Sequence, residues 1–455
     1  MPPTDNKPLA KSLFIFALPL MLSTVLQSTS GTVSTMLLGR TVGLEALAAV
    51  AAFVPILFVL MSFIIGVGSG STVLIGQAHG AKDREALRKI AGTTLTFTFL
   101  LGLAIALTGG AFTREVLILT GTPANIIDDS MIYARITFMA LPVLYLYAVY
   151  TTFLRGTGDA RTPFYFLIFS TAVNIALTPV LILGWLGLPA LGVSGAAWAN
   201  VIASFAAFVL LLIYIQRLDH PLKLPASLAY FAIDWPILKL LLKLGVPTSL
   251  QMIFISLSEI AVLTFVNSHG SAATAAYGAV SQIITYVEMP AVSLGTAVSV
   301  FGAQFIGAGE ALRLRPLLRT GVALSYAVGA FLIGLLYLAG RPVLALFLAD
   351  PATLDVAYDI LIINLWADLI FGNITVLAGL MRASGAVFWP TALSLLSLWG
   401  VLVPTAWLLS PRLGLEGIWL AYPAEFSVGL AMQYAYYHFF WRKRQHTLLL
   451  GEQGR

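Results

Sequence analysis

The sequence predicts an all-α membrane protein of twelve transmembrane helices, arranged as two six-helix bundles related as parallel repeats. Three observations carry this expectation. The 455 residues are 59% apolar and 10% charged, whereas soluble domains average about 45–50% and about 25%. The apolar residues fall into twelve successive stretches, most of them beyond the length needed for a spanning helix. The second six stretches also echo the first six. This composition excludes a soluble enzyme, a nucleic-acid-binding protein and a disordered chain. With no cysteine, a disulfide framework, a thiol nucleophile and a Cys-ligated metal are excluded as well.

The first stretch, 13–38, is too long for the apolar core of a signal peptide and lacks a small-residue cleavage site, so it reads as a retained span. It carries Ser23, Gln27, Ser30 and Ser34 at helical spacing. The second, 49–75, contains Gly66-Val67-Gly68-Ser69-Gly70, small residues that permit close helix packing. The chain has no P-loop signature, and its histidines show no metal-ligand spacing. Spans follow at 91–110, 131–153, 163–184 (with Asn174) and 193–215. Segment 216–245, with Asp219, His220, Pro221, Pro225 and Trp235-Pro236, is polar and proline-marked, and reads as a linker. The remaining spans are 246–267, 273–303, 320–339, 356–380, 389–409 and 417–440. Internal prolines such as Pro19, Pro142, Pro247 and Pro290 are tolerated because neighbouring helices re-satisfy the freed carbonyls. The expected organisation is an N-terminal lobe over 1–215, a cytoplasmic linker over 216–245, a C-terminal lobe over 246–441 and a cytoplasmic tail over 442–455.

Basic residues set the orientation. With both termini inside, twenty lysines and arginines fall on inner segments, among them Lys7, Lys82, Arg88, Arg155, Arg313, Arg382 and Arg455. Only Arg40, Arg114, Arg341 and Arg412 fall on outer loops. The net charge of +5 is thus topogenic and does not point to a nucleic-acid partner. An offset of 227 pairs Gly68 with Gly295, Gln77 with Gln304, Gly80 with Gly307, Arg155 with Arg382 and Gly158 with Gly385. Near the end the offset is 222, pairing Gly192 with Gly414 and Gly195 with Gly417. Each half holds an even number of spans, so the halves share one orientation. Two such lobes fit a secondary transporter, with ligands bound near the midplane and access alternating as the lobes rock.

Acidic residues well inside spans, away from their ends, are confined to the second half: Glu259, Glu288, Asp368 and Glu425. Their repeat partners are Gly31, Met61, Leu141 and Ala203, none ionisable, so the acids do not belong to the shared fold. A mid-membrane acid costs about 2.5–3.5 kcal/mol on the insertion scale and faces a bundle interior or a wet cavity. A small cation and a cationic cargo competing for such a carboxylate give antiport. Glu259, Asp368 and Glu288 are therefore the candidate cation-coupling residues. Asn364 joins them, four residues before Asp368 and so expected on the same helical face. Ser256 and Thr285 are expected hydroxyl neighbours of Glu259 and Glu288. The first lobe is polar but uncharged. Gln27, Ser34 and Asn174 are its candidate substrate-binding residues, with Tyr145, Met252 and Met289 as aromatic and adaptable surface for bulky cations.

These residues resemble the multidrug and toxic compound extrusion (MATE) family. The likeness rests on the twelve-span duplication and on Gln77-Ala78-His79-Gly80-Ala81 echoed as Gln304-Phe305-Ile306-Gly307-Ala308. It rests also on Arg155-Gly156-Thr157-Gly158-Asp159 echoed as Arg382-Ala383-Ser384-Gly385, and on Asn174-Ile175-Ala176-Leu177 followed by Gly192-Val193-Ser194-Gly195. The resemblance implies a V-shaped pair of bundles in the plasma (inner) membrane, exporting drugs or toxic organic cations as a monomer. It implies no bound cofactor beyond the coupling ion, H+ or Na+, and no partner beyond small molecules and membrane lipid. Many relatives hold Asp where Ser34 stands in Val33-Ser34-Thr35. Relatives with second-lobe acids place them at the positions of Ile255 and near Phe371, so Glu259 and Asp368 are a pair displaced by one turn toward the outer face. The alternative is a lipid-linked saccharide flippase of the same superfamily.

Overall fold

Glycines with left-handed backbone punctuate this chain, and the helices run between them. The computed structural model describes residues 8–218, 220–223 and 228–451, the side chains of 186, 228 and 229 excepted. Asp5, Lys7, Asp219, Pro225 and Arg455 lie outside the described residues. The first half forms α1 (Leu9–Thr41), α2 (Leu44–Gly80), α3 (Arg84–Ala111), the short α4 (Thr113–Leu119), α5 (Ile127–Gly156), α6 (Arg161–Leu183) and α7 (Val193–Arg217). The second forms α8 (Trp235–Asn267), α9 (Ser271–Gly307), α10 (Leu314–Leu344), α11 (Pro351–Leu365), α12 (Asp368–Ala383), α13 (Phe388–Ser397) and α14 (Val403–Phe439). A π-helical segment, Leu398–Leu402, joins the last two.

Ten of these helical stretches are long and apolar enough to cross a bilayer, and the bent pair α11–α12 makes an eleventh. One of the ten, Phe388–Lys443, runs 56 residues. Gly414 (φ 62°, ψ −138°) divides it into two, which restores the expected twelve.

The duplication is visible in the backbone itself. Helices α2 and α9 start and end at positions related by the offset of 227, each launched by a glycine at positive φ, Gly43 (120°) and Gly270 (97°). The ends of α5 and α12 and the starts of α6 and α13 obey the same offset. Gly192 (φ 55°, ψ −127°), before α7, has nearly the conformation of Gly414. Three residues beyond each corner, a side chain at Gly195 or Gly417 would strike the backbone of the preceding helix at Leu181 or Leu409.

The chain forms two compact units, Leu22–His79 with Asp83–Val246, and Met1–Met21 with Gly80–Lys82 and Pro247–Arg455. In the first unit the small-residue run of α2 does what its composition suggests. A Cβ on Gly68 would sit 2.9 Å from Thr152 of α5, one on Gly70 3.0 Å from the Leu241 carbonyl, and Gly245 closes on the Gly66 carbonyl. The second unit repeats the first of these contacts, with Gly295 of α9 against α12 at Thr375 and Gly379. Helix α9 is the centre of that unit, with 83% of its most apolar stretch buried.

Two segments differ from the sequence reading. Residues 235–245, expected in the linker, are the first three turns of α8. There Leu238, Leu241 and Leu244 are buried while Lys239 and Lys243 face outward, an amphipathic start that extends the helix. The rest of the linker is tied to the first unit. Tyr150 donates to the Leu222 carbonyl (2.7 Å), Thr96 donates to the Phe231 carbonyl (2.7 Å), and Thr93 Oγ1 accepts from the Asp234 amide (3.2 Å). The expected continuous span 356–380 is instead broken at Trp366-Ala367, with α11 and α12 meeting at 45°.

Candidate functional site

The break between α11 and α12 makes the most distinctive polar site in the second unit. Residues 366–370 turn by i→i+3 bonds, Ala367 N–H to the Asn364 carbonyl (2.9 Å) and Ile370 N–H to the Ala367 carbonyl (2.9 Å). Asp368 becomes the first residue of α12, where the positive end of a helix favours a carboxylate. Asn364 (1% exposed) and Asp368 (6%) are both buried. The Asn364 Oδ1 and both Asp368 carboxylate oxygens lack hydrogen-bond partners among the described residues. Buried polar atoms are nearly always paired, and those that are not call for a ligand or a function. The expected four-residue ladder on one helix face is corrected here, because the helix is interrupted between the two residues.

Glu288, half-buried on α9, lies within electrostatic range of Asp368, Glu259 and Glu425. The structure thus gathers the four acids well inside the spans of the second half into one electrostatic neighbourhood on α8, α9, α12 and α14. Glu259 is the exposed member. Glu425 is buried at 6% exposure and is held by Ser397, whose hydroxyl lies 2.5 Å from its Oε1 and 3.0 Å from its backbone carbonyl. Thr285 is not the hydroxyl neighbour expected for Glu288, since it donates to the Ser281 carbonyl of its own helix (2.8 Å).

Sequence reasoning missed two members of this group. The hydroxyls of Tyr277 and Tyr422 lie 3.2 Å apart, and both rings pack on Trp419 at 5.3 Å. Glu259 acts electrostatically on both tyrosines, and Glu288 on Tyr422. Tyr277 precedes Glu288 by three helical turns and Tyr422 precedes Glu425 by one, so helical spacing from the acids is the signal that could have found them. Met289 is buried and Met252 half-buried.

The first unit carries its own polar pair. Asn174 Nδ2 on α6 donates to Ser34 Oγ on α1 (3.3 Å), and Thr178 donates to the Asn174 carbonyl (2.7 Å). Gln27 is exposed one turn or two from that pair, whereas Ser23 is buried. Tyr145 is a correction. It is fully buried, and its hydroxyl donates to the Leu60 carbonyl (2.7 Å), so it braces α5 against α2 and offers no surface to a cargo.

A duplicated six-span unit, apolar on its outside and carrying acids well inside its spans in one copy only, has the architecture of a membrane transporter. A family model named MatE matches residues 19–180 and, a second time, residues 247–408. The chain belongs to the MatE family. It is 52% identical over 443 residues to the probable multidrug resistance protein YoeA of Bacillus subtilis, covering 97% of this chain and 96% of that one. It is 30% identical to the probable multidrug resistance protein YpnP of the same organism, covering 94% and 95%. Among solved structures, the fold is similar to that of the Vibrio cholerae MATE transporter VcmN in a single-residue variant, with a TM-score of 0.89 at 20% identity, covering 97% and 98%.

Proposed function

We propose that this protein is a secondary active multidrug exporter, moving organic and mostly cationic compounds out of the cell in exchange for H+ or Na+. The buried, unpartnered carboxylate of Asp368 carries this reading, set beside Asn364 and within reach of Glu288. An acid of this kind is stabilised by a small cation or by a cationic cargo, and cannot serve both. By linkage, the binding of each then weakens the other to the same degree, which is what exchange requires. The names of the relatives support export of drugs. The protein works as a monomer in the plasma membrane with both termini in the cytoplasm, access alternating as its lobes rock. Asn174, Ser34, Gln27, Met252 and Met289 contact the cargo. A carrier of diphosphate-linked saccharides would need bases where this chain buries acids.

The test is reconstituted efflux of a fluorescent organic cation, with a pH gradient or a sodium gradient imposed separately. One gradient should stimulate efflux in the wild type. Asp368→Asn should reduce that stimulation at least about tenfold, a loss of about 1.4 kcal/mol of coupling. Glu259→Gln should reduce it less, because Glu259 is exposed. Gradient-driven efflux at the wild-type rate in both variants refutes the reading.

A further inference from the structure

Glu425 has surroundings unlike those of the other three acids. Ser397, fully buried, presents one hydroxyl to two oxygens of the same residue, the Glu425 carbonyl at 3.0 Å and Oε1 at 2.5 Å. A serine hydroxyl has one hydrogen to give and two lone pairs to accept with. The backbone carbonyl can only accept. With Glu425 ionised, two acceptors compete for one hydrogen. With Glu425 protonated, its O–H donates to Ser397 Oγ, Ser397 donates to the carbonyl, and both bonds are made. The hydrogen-bond count closes only when the carboxyl holds its proton.

The site also has a route. Glu425, Gly429 and Gln433 lie on one face of α14 at steps of four residues, facing Ser397 and Ser394 of α13. Gly429 leaves room for the pair, since a Cβ there would sit 2.8 Å from Ser397 Oγ. Gln433, fully buried, donates from Nε2 to Ser394 Oγ (2.9 Å), and its Oε1 has no partner among the described residues. Ser394 in turn lines a cavity with Gln251, Arg382 and Thr391. A polar seam about 12 Å long therefore runs from that cavity to Glu425 through an otherwise apolar helix pair. The π-helical segment Leu398–Leu402 begins at the residue after Ser397, and such widened turns recur at functional positions.

Resting on the transport reading above, we propose that Glu425 with Ser397 is a second proton-carrying site of this lobe, unloading into the cavity beside Arg382 along Ser394 and Gln433. The proton adds to a carboxylate oxygen of Glu425 from water and returns to water at the cavity when the site empties, so no co-reactant is needed. The charged groups on the elements packed against α14 are Asp355 and Asp359 on α11, Asp368 and Arg382 on α12, and Arg442 and Lys443 on the turn Trp441–Lys443; α13 and the π segment contribute none, and α14 itself carries Arg412, Glu416 and His438. Glu425 acts electrostatically on Glu288 of α9, so a charge on one acid opposes a charge on the other. Glu425 and the Asp368 group then empty in sequence rather than together.

Infrared difference spectroscopy of the full protein in lipid reads the proton directly. The wild type should show a protonated-carboxyl stretch that Glu425→Gln removes and that Ser397→Ala moves to higher frequency, because the acid loses its acceptor. In proteoliposomes, Glu425→Gln and Gln433→Leu should each lower pH-driven efflux of a fluorescent cation at least about threefold, while fluorescence anisotropy shows the cation still bound. A carboxyl band that survives Glu425→Gln, or one indifferent to Ser397→Ala, overturns the proposal, as does unaltered pH-driven efflux in Glu425→Gln. If the wild type transports nothing under any gradient, the transport reading fails separately, and the infrared band still decides whether Glu425 holds a proton.

Discussion

Lys82 holds φ at +57°, the sole non-glycine at positive φ among the described residues. Its repeat partner, 227 positions on, is Gly309 at φ +75°. The same turn is thus built once with a residue suited to it and once without. Left-handed backbone costs an L-residue about 1–2 kcal/mol, while a glycine surrenders about 0.5–1 kcal/mol of unfolded-state entropy. Lys82→Gly should therefore raise thermal stability in detergent by up to about 1 kcal/mol. Gly309→Ala should lower it by about 1–2 kcal/mol, although no atom lies within 4 Å of the added Cβ. Equal melting temperatures for all three proteins would show that the turn relaxes to suit its residue. The contrast also tells what duplication preserves: the backbone path is kept, and the side chains that follow it diverge. The four acids are the chemical form of that divergence.

At the scale of elements, the corners and breaks decide where those side chains go. His220 sits half-buried at the linker turn, where its Nδ1 accepts from the Leu222 amide (3.2 Å) and Tyr150 holds the Leu222 carbonyl. Burial pulls its pKa below the ordinary 6.5, with Asp159 opposing in part. The unfolded or released turn binds the proton more readily, so the anchor is at full strength above about pH 6.5 and weakens as the pH falls toward the lowered value. Amide protection at residues 220, 222 and 223, corrected for the intrinsic exchange rate at each pH, should fall between pH 7 and pH 5 in the wild type and lose that dependence in His220→Asn. A flat wild-type profile would remove His220 as the anchor. These corners also show what the sequence left illegible. The start of α8 was hidden because its prolines and lysines suggested a linker, whereas the apolar residues between them bury one face. The break at Trp366-Ala367 has no glycine or proline to announce it, and the π segment after Ser397 is apolar throughout. Asn364 and Asp368 were identified as chemistry, but their placement depended on a bend that hydropathy does not encode. Tyr277, Tyr422 and Ser397 meet their partners from other helices, a tertiary fact that spacing along one helix could only hint at.

For the whole molecule, length and hydropathy were enough to place the spans, because a bilayer admits few ways to satisfy a buried backbone. The large apolar side chains left exposed, such as Leu338 (89%), Phe331 (70%) and Leu107 (66%), would be an aggregation hazard in water and are an ordinary lipid-facing surface in a membrane. Orientation is a separate matter, carried by charge. Arg88, Arg313, Arg315 and Arg319 fall between the even and odd spans, on the face assigned to the cytoplasm, and the opposite loops are nearly free of bases. The chain supplies its own assay, because it has no cysteine and any introduced thiol is unique. Leu312, between α9 and α10, is 93% exposed, and Leu119, at the end of α4, is 87% exposed. With both termini inside, a membrane-impermeant maleimide added to intact cells should label Leu119→Cys and spare Leu312→Cys, and permeabilising the cells should make both reactive. The reverse pattern would invert the protein. The in-span acids of the second half would stay where they are and proton entry would still drive cargo exit, because the gradient sets the direction of an exchange, but the cavity beside Arg382 would take protons in rather than release them.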